Sequence, residues 1–149
     1  MSEDLLQAVK TTLLPLVEAQ GFRAVESRIS DSFDNAFVTL QSSELLIRIT
    51  RERGLIEVDF GPATEPGTWF DSDVVLERLG LSIDQSFLGS RADTVMRGVG
   101  AFMRTCGGQV RAMFDETNLE MTKRELRRLK EARAERLFGW KAPERPGGA

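Results

Sequence analysis

The sequence predicts a single α+β domain in which helices pack on one face of an antiparallel sheet. Two observations carry this prediction. Three segments between residues 36 and 60 alternate apolar and polar side chains, and the segments before and after them repeat apolar residues every three or four positions. A period of two is typical of strands with one buried and one partly wet face, whereas the longer steps are typical of amphipathic helices. We place this domain at residues 1–140.

The first predicted element is an N-terminal helix. Apolar residues follow one another at helical spacing from Leu5 to Val17, and Gly21 provides a suitable end. Pro15 lies inside this run. Because proline lacks an amide hydrogen and crowds the preceding turn, we expect the helix to bend or divide near Thr12.

A four-stranded meander follows this helix. The first strand lies around Arg23–Ile29 and alternates less clearly than the others. The next three strands have their centres near Val38, Ile47 and Val58, and they place their apolar side chains on a common face. Their second face is polar and charged, so we expect a sheet with one buried side and one wet side.

Two short loops set the expected pairing of the last three strands. Ser42-Ser43 is interpreted as a two-residue loop, and Arg51–Gly54 as a four-residue loop. Both loops keep the apolar side chains of neighbouring strands on the same face. The second loop places Arg48 opposite Glu57 on the wet face.

Helical patterns return after the sheet. They predict a short helix over residues 73–79, a long helix from about Ser90 to Met113, and a last helix over residues 123–138. The long helix carries a continuous apolar stripe that begins at Val95. Thr122 and Glu125 have the spacing of a capping box that opens the last helix. Residues 141–149 are rich in proline and glycine, and we predict a disordered tail there.

The composition excludes several kinds of chemistry. The chain has no histidine and no tyrosine, and Cys106 is its one cysteine. Serine–histidine and cysteine–histidine nucleophile pairs and histidine-ligated zinc are therefore excluded, and we predict no catalytic residue, metal site or cofactor. The acidic start differs from a secretory signal, and no segment approaches the ~20 apolar residues that span a bilayer. We expect a cytoplasmic, non-enzymatic protein without a membrane partner.

The net charge of −3 conceals an acidic body and a basic end. Residues 1–122 hold 11 Lys and Arg against 19 Asp and Glu, whereas residues 123–149 hold 9 against 4. The two parts therefore differ in the sign of their charge. This asymmetry favours docking of the last helix on an acidic surface, in its own subunit, in a second copy of a homodimer, or in another partner.

The wet sheet face is the candidate protein-binding surface. It combines charged and apolar side chains, and a tryptophan lies in the loop that follows it. Apolar groups ringed by charges are typical of binding patches. The candidate residues are Arg48, Arg51, Arg53, Glu57, Asp59, Phe37, Leu46, Leu55 and Trp69. A plainer interpretation is a solvated face with cross-strand ion pairs.

Two other functions stay open. The basic last helix offers Arg124, Arg127 and Arg128 for neutralising the phosphates of a nucleic acid, although the acidic body and a pI near 5.2 weigh against that partner. Glu57 and Asp59 lie roughly 7 Å apart on one side of a strand. That spacing suits a carboxylate acid–base pair or a divalent ion, but no further ligand lies at a suitable spacing.

Asp34–Leu40, Leu45–Gly54 and Trp69-Phe70-Asp71 resemble small bacterial α+β proteins of the toxin-immunity-like kind, over roughly residues 13–80. The resemblance implies a cytoplasmic protein that neutralises a toxin domain by binding it, and no catalytic residue carries over. The chain is also similar to the acidic type III secretion chaperones, which are small α+β dimers. A helix interrupts their sheet, whereas this meander is continuous, so we place a secretion-chaperone-like adaptor second.

Overall fold

The computed structural model describes residues 5–30, 35–81, 87 and 89–138, and it confirms the α+β class with an antiparallel meander. The sheet has five strands in the order β1-β2-β3-β4-β5. Their bounds are Arg23–Ser30 for β1, Asn35–Gln41 for β2, Leu45–Glu52 for β3, Leu55–Pro62 for β4 and Phe70–Asp71 for β5. The prediction of four strands was wrong by one, because β5 is too short to show alternation. The predicted tail at residues 141–149 lies outside the described residues.

The helices lie before and after the sheet. The N-terminal helical run consists of α1 (Leu5–Ala8), a π-helical segment (Val9–Leu13), α2 (Leu14–Val17) and a 3₁₀ turn (Glu18–Gln20). The later helices are α3 (Ser72–Arg78), α4 (Ala92–Met113) and α5 (Leu119–Phe138). None of the helices in the described part of the chain is long and apolar enough to cross a membrane.

Pro15 explains the irregularity of the N-terminal helical run. The run widens into a π-helix directly before the proline and returns to an α-helix with Pro15 in its first turn. A wider turn accommodates a residue that donates no amide hydrogen and crowds the carbonyl four positions earlier. Gly21, with φ of 87°, then ends the run as predicted.

Both loops of the meander differ in length from the prediction. Three residues, Ser42–Glu44, connect β2 to β3, and two residues, Arg53 and Gly54, connect β3 to β4. Arg53 and Gly54 both have positive φ, at 53° and 81°, as a type I′ hairpin turn requires. The shorter second loop moves the pairing by two residues, so Arg48 lies opposite Asp59 and not Glu57. An even shift leaves every side chain on its predicted face.

One face of the sheet, here called the core face, is sealed by helices. Seven of its apolar side chains are at most 2% exposed, and they are Val38, Leu40, Ile47, Ile49, Ile56, Val58 and Phe60. The ring of Phe102 in α4 lies 6.1 Å from the ring of Phe60. Gly100 of α4 permits close approach of the N-terminal helical run, because a Cβ atom there would lie 2.3 Å from Leu16 Cδ1.

The predicted start of the last helix was wrong. α5 begins at Leu119, so Thr122 lies within the helix and is buried rather than acting as its cap. The side chain of Asp115 accepts a hydrogen bond from the Asn118 amide just before the helix. The helix packs against its own subunit through buried Leu126 and through several ion pairs. These ion pairs join Arg78 to Glu125, Arg133 to Asp73 and Glu77, Arg136 to Glu77, and Lys123 to Glu65.

The two edges of the sheet differ in the segments that pair with them. Beside β4, the short strand β5 pairs with Asp59 and Phe60, and Gly89 exchanges two backbone hydrogen bonds with Ile56, at 2.7 and 3.3 Å. At the other edge, β1 pairs with β2 alone among the described residues, and a bulge lies between Ala24 and Glu26. In the part of the chain that the structure describes, the β1 edge is therefore open.

Candidate functional site

The second face of the sheet, here called the outer face, carries the polar residues of the alternating strands. Register places three rows of side chains across β2, β3 and β4 on it. The rows are Phe37, Thr50 and Glu57; Thr39, Arg48 and Asp59; and Gln41, Leu46 and Gly61. The predicted alternation therefore identified this face correctly.

A groove of about 660 Å³ lies on the outer face. Strands β1, β2 and β3 form its floor, and the loop between β4 and β5 forms one wall. Apolar side chains dominate the lining, with Phe37 and Leu46 on the strands and Pro66 and Trp69 in the loop. The face thus forms a concave, partly apolar surface rather than a flat solvated one.

The wall of the groove is the loop over residues 63–69, and Gly61 allows it to lie close to the sheet. A Cβ atom at Gly61 would lie 2.2 Å from the carbonyl oxygen of Thr68 and 3.2 Å from the Trp69 ring. Such distances leave no room for any side chain. The Ala63 amide donates to the Glu44 carbonyl at 3.0 Å, which holds the start of the loop. Leu46 is only 5% exposed on this face.

Arg48 is held between two partners at the edge of the groove. Its guanidinium donates to the Asp59 carboxylate at 3.2 Å, and the guanidinium carbon lies 4.4 Å from the centre of the Trp69 ring. The first contact follows from register, since the two residues are directly opposite. The second depends on the loop. An arginine that is both ion-paired and stacked on an aromatic ring has few accessible rotamers. The position of the guanidinium in the groove is therefore well defined.

The carboxyl of Asp59 is electrostatically unusual. Burial raises its pKa above the ordinary value of 3.8, and the charge of Asp71 adds to this effect. The hydrogen bond and charge of Arg48 and the charge of Lys130 act in the opposite direction. With Glu57, Asp71 and other acidic residues, Asp59 lines a second cavity of about 210 Å³ beside α3.

Two of these carboxylates are paired with basic side chains. Within the described ranges, no group of three or more acidic or cysteine side chains is placed to hold a metal ion. Asp59 is bound to Arg48, and Asp73 lies 3.7 Å from Arg133. The cavity is therefore an acidic surface that is partly neutralised by basic side chains, above all those of α5.

The structure brings together only part of the predicted site. Four candidates line the groove, namely Phe37, Leu46, Arg48 and Trp69. Asp59 supports Arg48, whereas Glu57 and Leu55 are exposed on the outer face beyond the groove. Arg53 lies in the exposed turn, where its amide donates to the Asn35 side chain at 3.2 Å.

The prediction for Arg51 was wrong. It was placed in a turn beside the wet face, but β3 continues to Glu52 and Arg51 lies opposite Ile56, on the core-face side. Its side chain is only 5% exposed. The error follows from the assumed four-residue loop, since the two-residue turn extends the alternation through Arg51.

Several residues of the groove escaped the sequence analysis. Thr39 and Thr50 share the alternation of Phe37 and Arg48 and were therefore within reach of the same argument. Glu26 and its neighbour Val25 also line the groove, because the bulge in β1 interrupts the regular alternation there. Pro66 and Gly67 carried no recognisable signal beyond that of a loop.

The alternative site on α5 has a different character. Arg124, Arg127 and Arg128 are exposed, and within the described residues they form no ion pair. The remaining basic residues of the helix include Lys123, Arg133 and Arg136, which bind acidic residues of the body. Much of the basic charge is thus used inside the subunit.

No protein-family model, curated protein or solved structure matches this chain. Its function therefore has to be inferred from its own surface.

Proposed function

We propose that this protein is a non-enzymatic binding module whose outer face receives another protein. The observation that carries the proposal is the groove of about 660 Å³, with Phe37, Leu46, Arg48 and Trp69 in its lining. Protein-recognition sites combine apolar and polar surface, and aromatic and arginine residues dominate their binding energy. The expected partner inserts an apolar side chain and presents polar groups around it.

The loop that forms the wall of the groove is held by contacts at several points, which favours binding. The loop over residues 63–69 is anchored by the close contact at Gly61, by the Ala63–Glu44 hydrogen bond, and by Lys123 Nζ, which donates to Glu65 at 2.9 Å. Immobilising side chains and loops at an interface costs free energy when they are mobile beforehand. A surface that is already ordered avoids most of that cost.

The chemistry of the outer face supports binding over catalysis. Histidine and tyrosine are absent from the chain, and Asp59, the carboxylate opposite Arg48, is bound to that arginine. Glu26, the carboxylate that lines the groove, is exposed on the edge strand. A general base needs a free lone pair within reach of a substrate proton. An acid held by an arginine supports the shape of a surface better than it transfers protons.

The narrower form of the proposal is that the partner is a toxin domain and that binding neutralises it in the cytoplasm. Its support is the resemblance of Asp34–Leu40, Leu45–Gly54 and Trp69-Phe70-Asp71 to immunity-like proteins. A secretion-chaperone-like adaptor is the nearest alternative. An immunity protein binds a folded toxin domain, whereas such an adaptor binds an extended segment of a secreted protein.

Site-specific crosslinking in the organism that produces this protein tests the proposal. A photoreactive residue at Thr50, inside the groove, should capture a protein that the same residue at Arg104, exposed on α4, does not capture. Phe37→Glu should abolish that capture, whereas Arg104→Glu should leave it intact, with thermal melts confirming that both variants fold. Capture that is equal at both positions would overturn the proposal. The narrower form has its own test. The captured protein, produced alone, should arrest growth. Production of the wild-type chain together with it should restore growth, whereas production of the Phe37→Glu variant should not.

A second candidate function rests on the three exposed arginines of α5 without ion-pair partners among the described residues. If Arg124, Arg127 and Arg128 bind nucleic acid, affinity for duplex DNA or RNA should survive at ~150 mM salt and fall steeply as salt rises, because counterions are released. Replacing all three with glutamate should abolish it. We expect instead weak binding that vanishes near physiological salt, because the acidic body repels phosphate. A salt titration of both proteins distinguishes the cases.

A further inference from the structure

The open edge of β1 is the largest feature that the groove leaves unexplained. In the described residues, β1 is hydrogen-bonded to β2 on one side and has no strand on the other. Two of its apolar side chains are exposed, Val25 by 42% and Ile29 by 64%. A long strand edge of this kind presents unpaired amide and carbonyl groups and is a template for another strand.

We propose that β1 pairs with β1 of a second copy of this chain, antiparallel and around a two-fold axis that passes through Ser27. The two sheets then form one continuous sheet. A second copy of the chain is the expected partner of this edge, because the charges of β1 are complementary to those of an antiparallel copy of β1. Glu26 of each copy lies opposite Arg28 of the other, so the interface holds this opposite-charge pair twice.

Backbone geometry leaves few alternatives to this register. Hydrogen-bonding groups point to alternate sides along a strand, and the two opposite residues of an antiparallel pair point their groups either both toward each other or both away from each other. A symmetric pair therefore has its axis on a residue and not between two residues. An axis on Glu26 or on Arg28 places that residue against its own copy, and like charges directly opposite each other are destabilising. The axis on Ser27 replaces both conflicts with attractions.

The same charges explain why the edge is selective. Charged residues on an edge strand and a bulge near its end are common devices against indiscriminate pairing. Here the charges favour the axis on Ser27 over the axes on its two neighbours, which is specificity achieved by repulsion of alternatives.

The pairing also completes the groove, and this part of the inference rests on the proposed function. Glu26 pairs with Thr39 and Arg28 pairs with Phe37 in β2, so both charges lie on the outer face. Glu26 lines the groove at its open side. In the dimer, Arg28 of the second copy stands beside Glu26 and closes that side, so the two grooves become neighbours across the axis.

Sedimentation equilibrium of charge variants tests the pairing. The wild-type chain should dimerise reversibly between roughly micromolar and millimolar concentration. Arg28→Glu and Glu26→Arg should each weaken the dimer by about tenfold or more, because each turns two attractions into two repulsions. Arg104→Glu makes the same change of charge on α4 and should leave the dimer unchanged.

Complementation separates this interface from a general charge effect. The double variant Glu26→Arg/Arg28→Glu should dimerise like the wild type, and a mixture of the two single variants should form a heterodimer although neither forms a homodimer. A monomeric wild type, unchanged dimerisation of Arg28→Glu, or no heterodimer in the mixture would each overturn the inference. A monomer that still captures a partner at Thr50 would leave the proposed function standing, whereas a dimer without capture would overturn that function alone.

Discussion

The core face and the outer face of the sheet use the same strands and the same alternation, but different parts of the molecule cover them. The N-terminal helical run and α4 pack against the core face, where the apolar side chains of β2, β3 and β4 are almost fully buried. The outer face is partly covered by the loop over residues 63–69, so exposure ranges from buried Leu46 to exposed Glu57. A helix layer seals a surface, whereas a loop at one side leaves a groove.

The core face contributes mainly to the stability of the fold, whereas the outer face carries the side chains of the proposed binding site. On the core face, each side chain is interchangeable with another of similar size and polarity, since burial supplies the free energy. On the outer face, Arg48 has particular partners in Asp59 and Trp69, and replacing it changes a geometry. Mutations on the two faces should therefore differ in size and in kind.

The largest expected effect is that of Ile47→Asp. Ile47 is fully buried on the core face between β2 and β4, and an unpaired carboxylate there costs several kcal/mol against a typical stability of ~5–15 kcal/mol. We expect an unfolded or barely folded protein in a thermal melt followed by circular dichroism. A cooperative transition close to that of the wild type would contradict the assignment of the core face.

Gly61→Ala tests whether the loop over residues 63–69 holds the groove in shape. The added methyl group meets the backbone carbonyl of Thr68, which cannot move without the loop, so we expect a loss of about 1–3 kcal/mol in urea unfolding and weaker partner capture at Thr50. The matched control is Gly108→Ala, because nothing lies within 4 Å of a Cβ atom there. That change should gain about 0.5–1 kcal/mol, as alanine is favoured over glycine in a helix.

Arg48→Glu measures how much the contacts of Arg48 with Asp59 and Trp69 contribute to the free energy of unfolding. It removes the contacts with Asp59 and Trp69 and sets a second negative charge beside Asp59, so we expect a loss of about 1–2 kcal/mol. Arg97→Glu is the control, because Arg97 also binds an aspartate, Asp93, but on an exposed helix surface. That change should cost about 0.5 kcal/mol or less. Equal losses of unfolding free energy for the two variants in urea would mean that Arg48 is held no more firmly than an ordinary surface arginine.

The smallest expected effect is the pH dependence that Asp59 contributes. Because its pKa is raised in the folded protein, the folded state holds this proton more tightly than the unfolded state does. Its contribution to the free energy of unfolding is therefore greatest below about pH 3.8 and is lost as the pH rises through the folded pKa. Asp59→Asn lacks this dependence. The wild-type stability minus that of the variant should fall as the pH rises above about 3.8, and a rise would show that Arg48 outweighs burial.

Much of the fold followed from alternation and helical spacing, and the errors have identifiable causes. The three central strands and the short helix α3 were predicted near their observed bounds, because each has a period that survives small boundary errors. The strand β5, with Phe70 and Asp71 alone, has no period to detect. Arg51 was misplaced because one turn was assigned four residues instead of two, and a turn length decides where alternation ends.

The candidate site was predictable only in part, for a physical reason. Phe37, Leu46, Arg48 and Asp59 share a face because side chains alternate along strands, which any register shift by two residues preserves. The contact between Arg48 and Trp69 joins a strand to a loop, and no local pattern encodes such a contact. The opposite partner of Arg48 also depended on the turn, which is why Asp59 replaced Glu57.

The sequence by itself determined the α+β class, the apolar face of the sheet, and the exclusion of histidine chemistry, because these depend on periodicity and composition that are local to the chain. Only the tertiary structure decided that a loop turns the outer face into a groove, that α5 docks on its own subunit, and that β1 remains an open edge. Those outcomes arise from close approaches between segments far apart in sequence. At Gly61 and Thr68 such an approach depends on the absence of a single side chain.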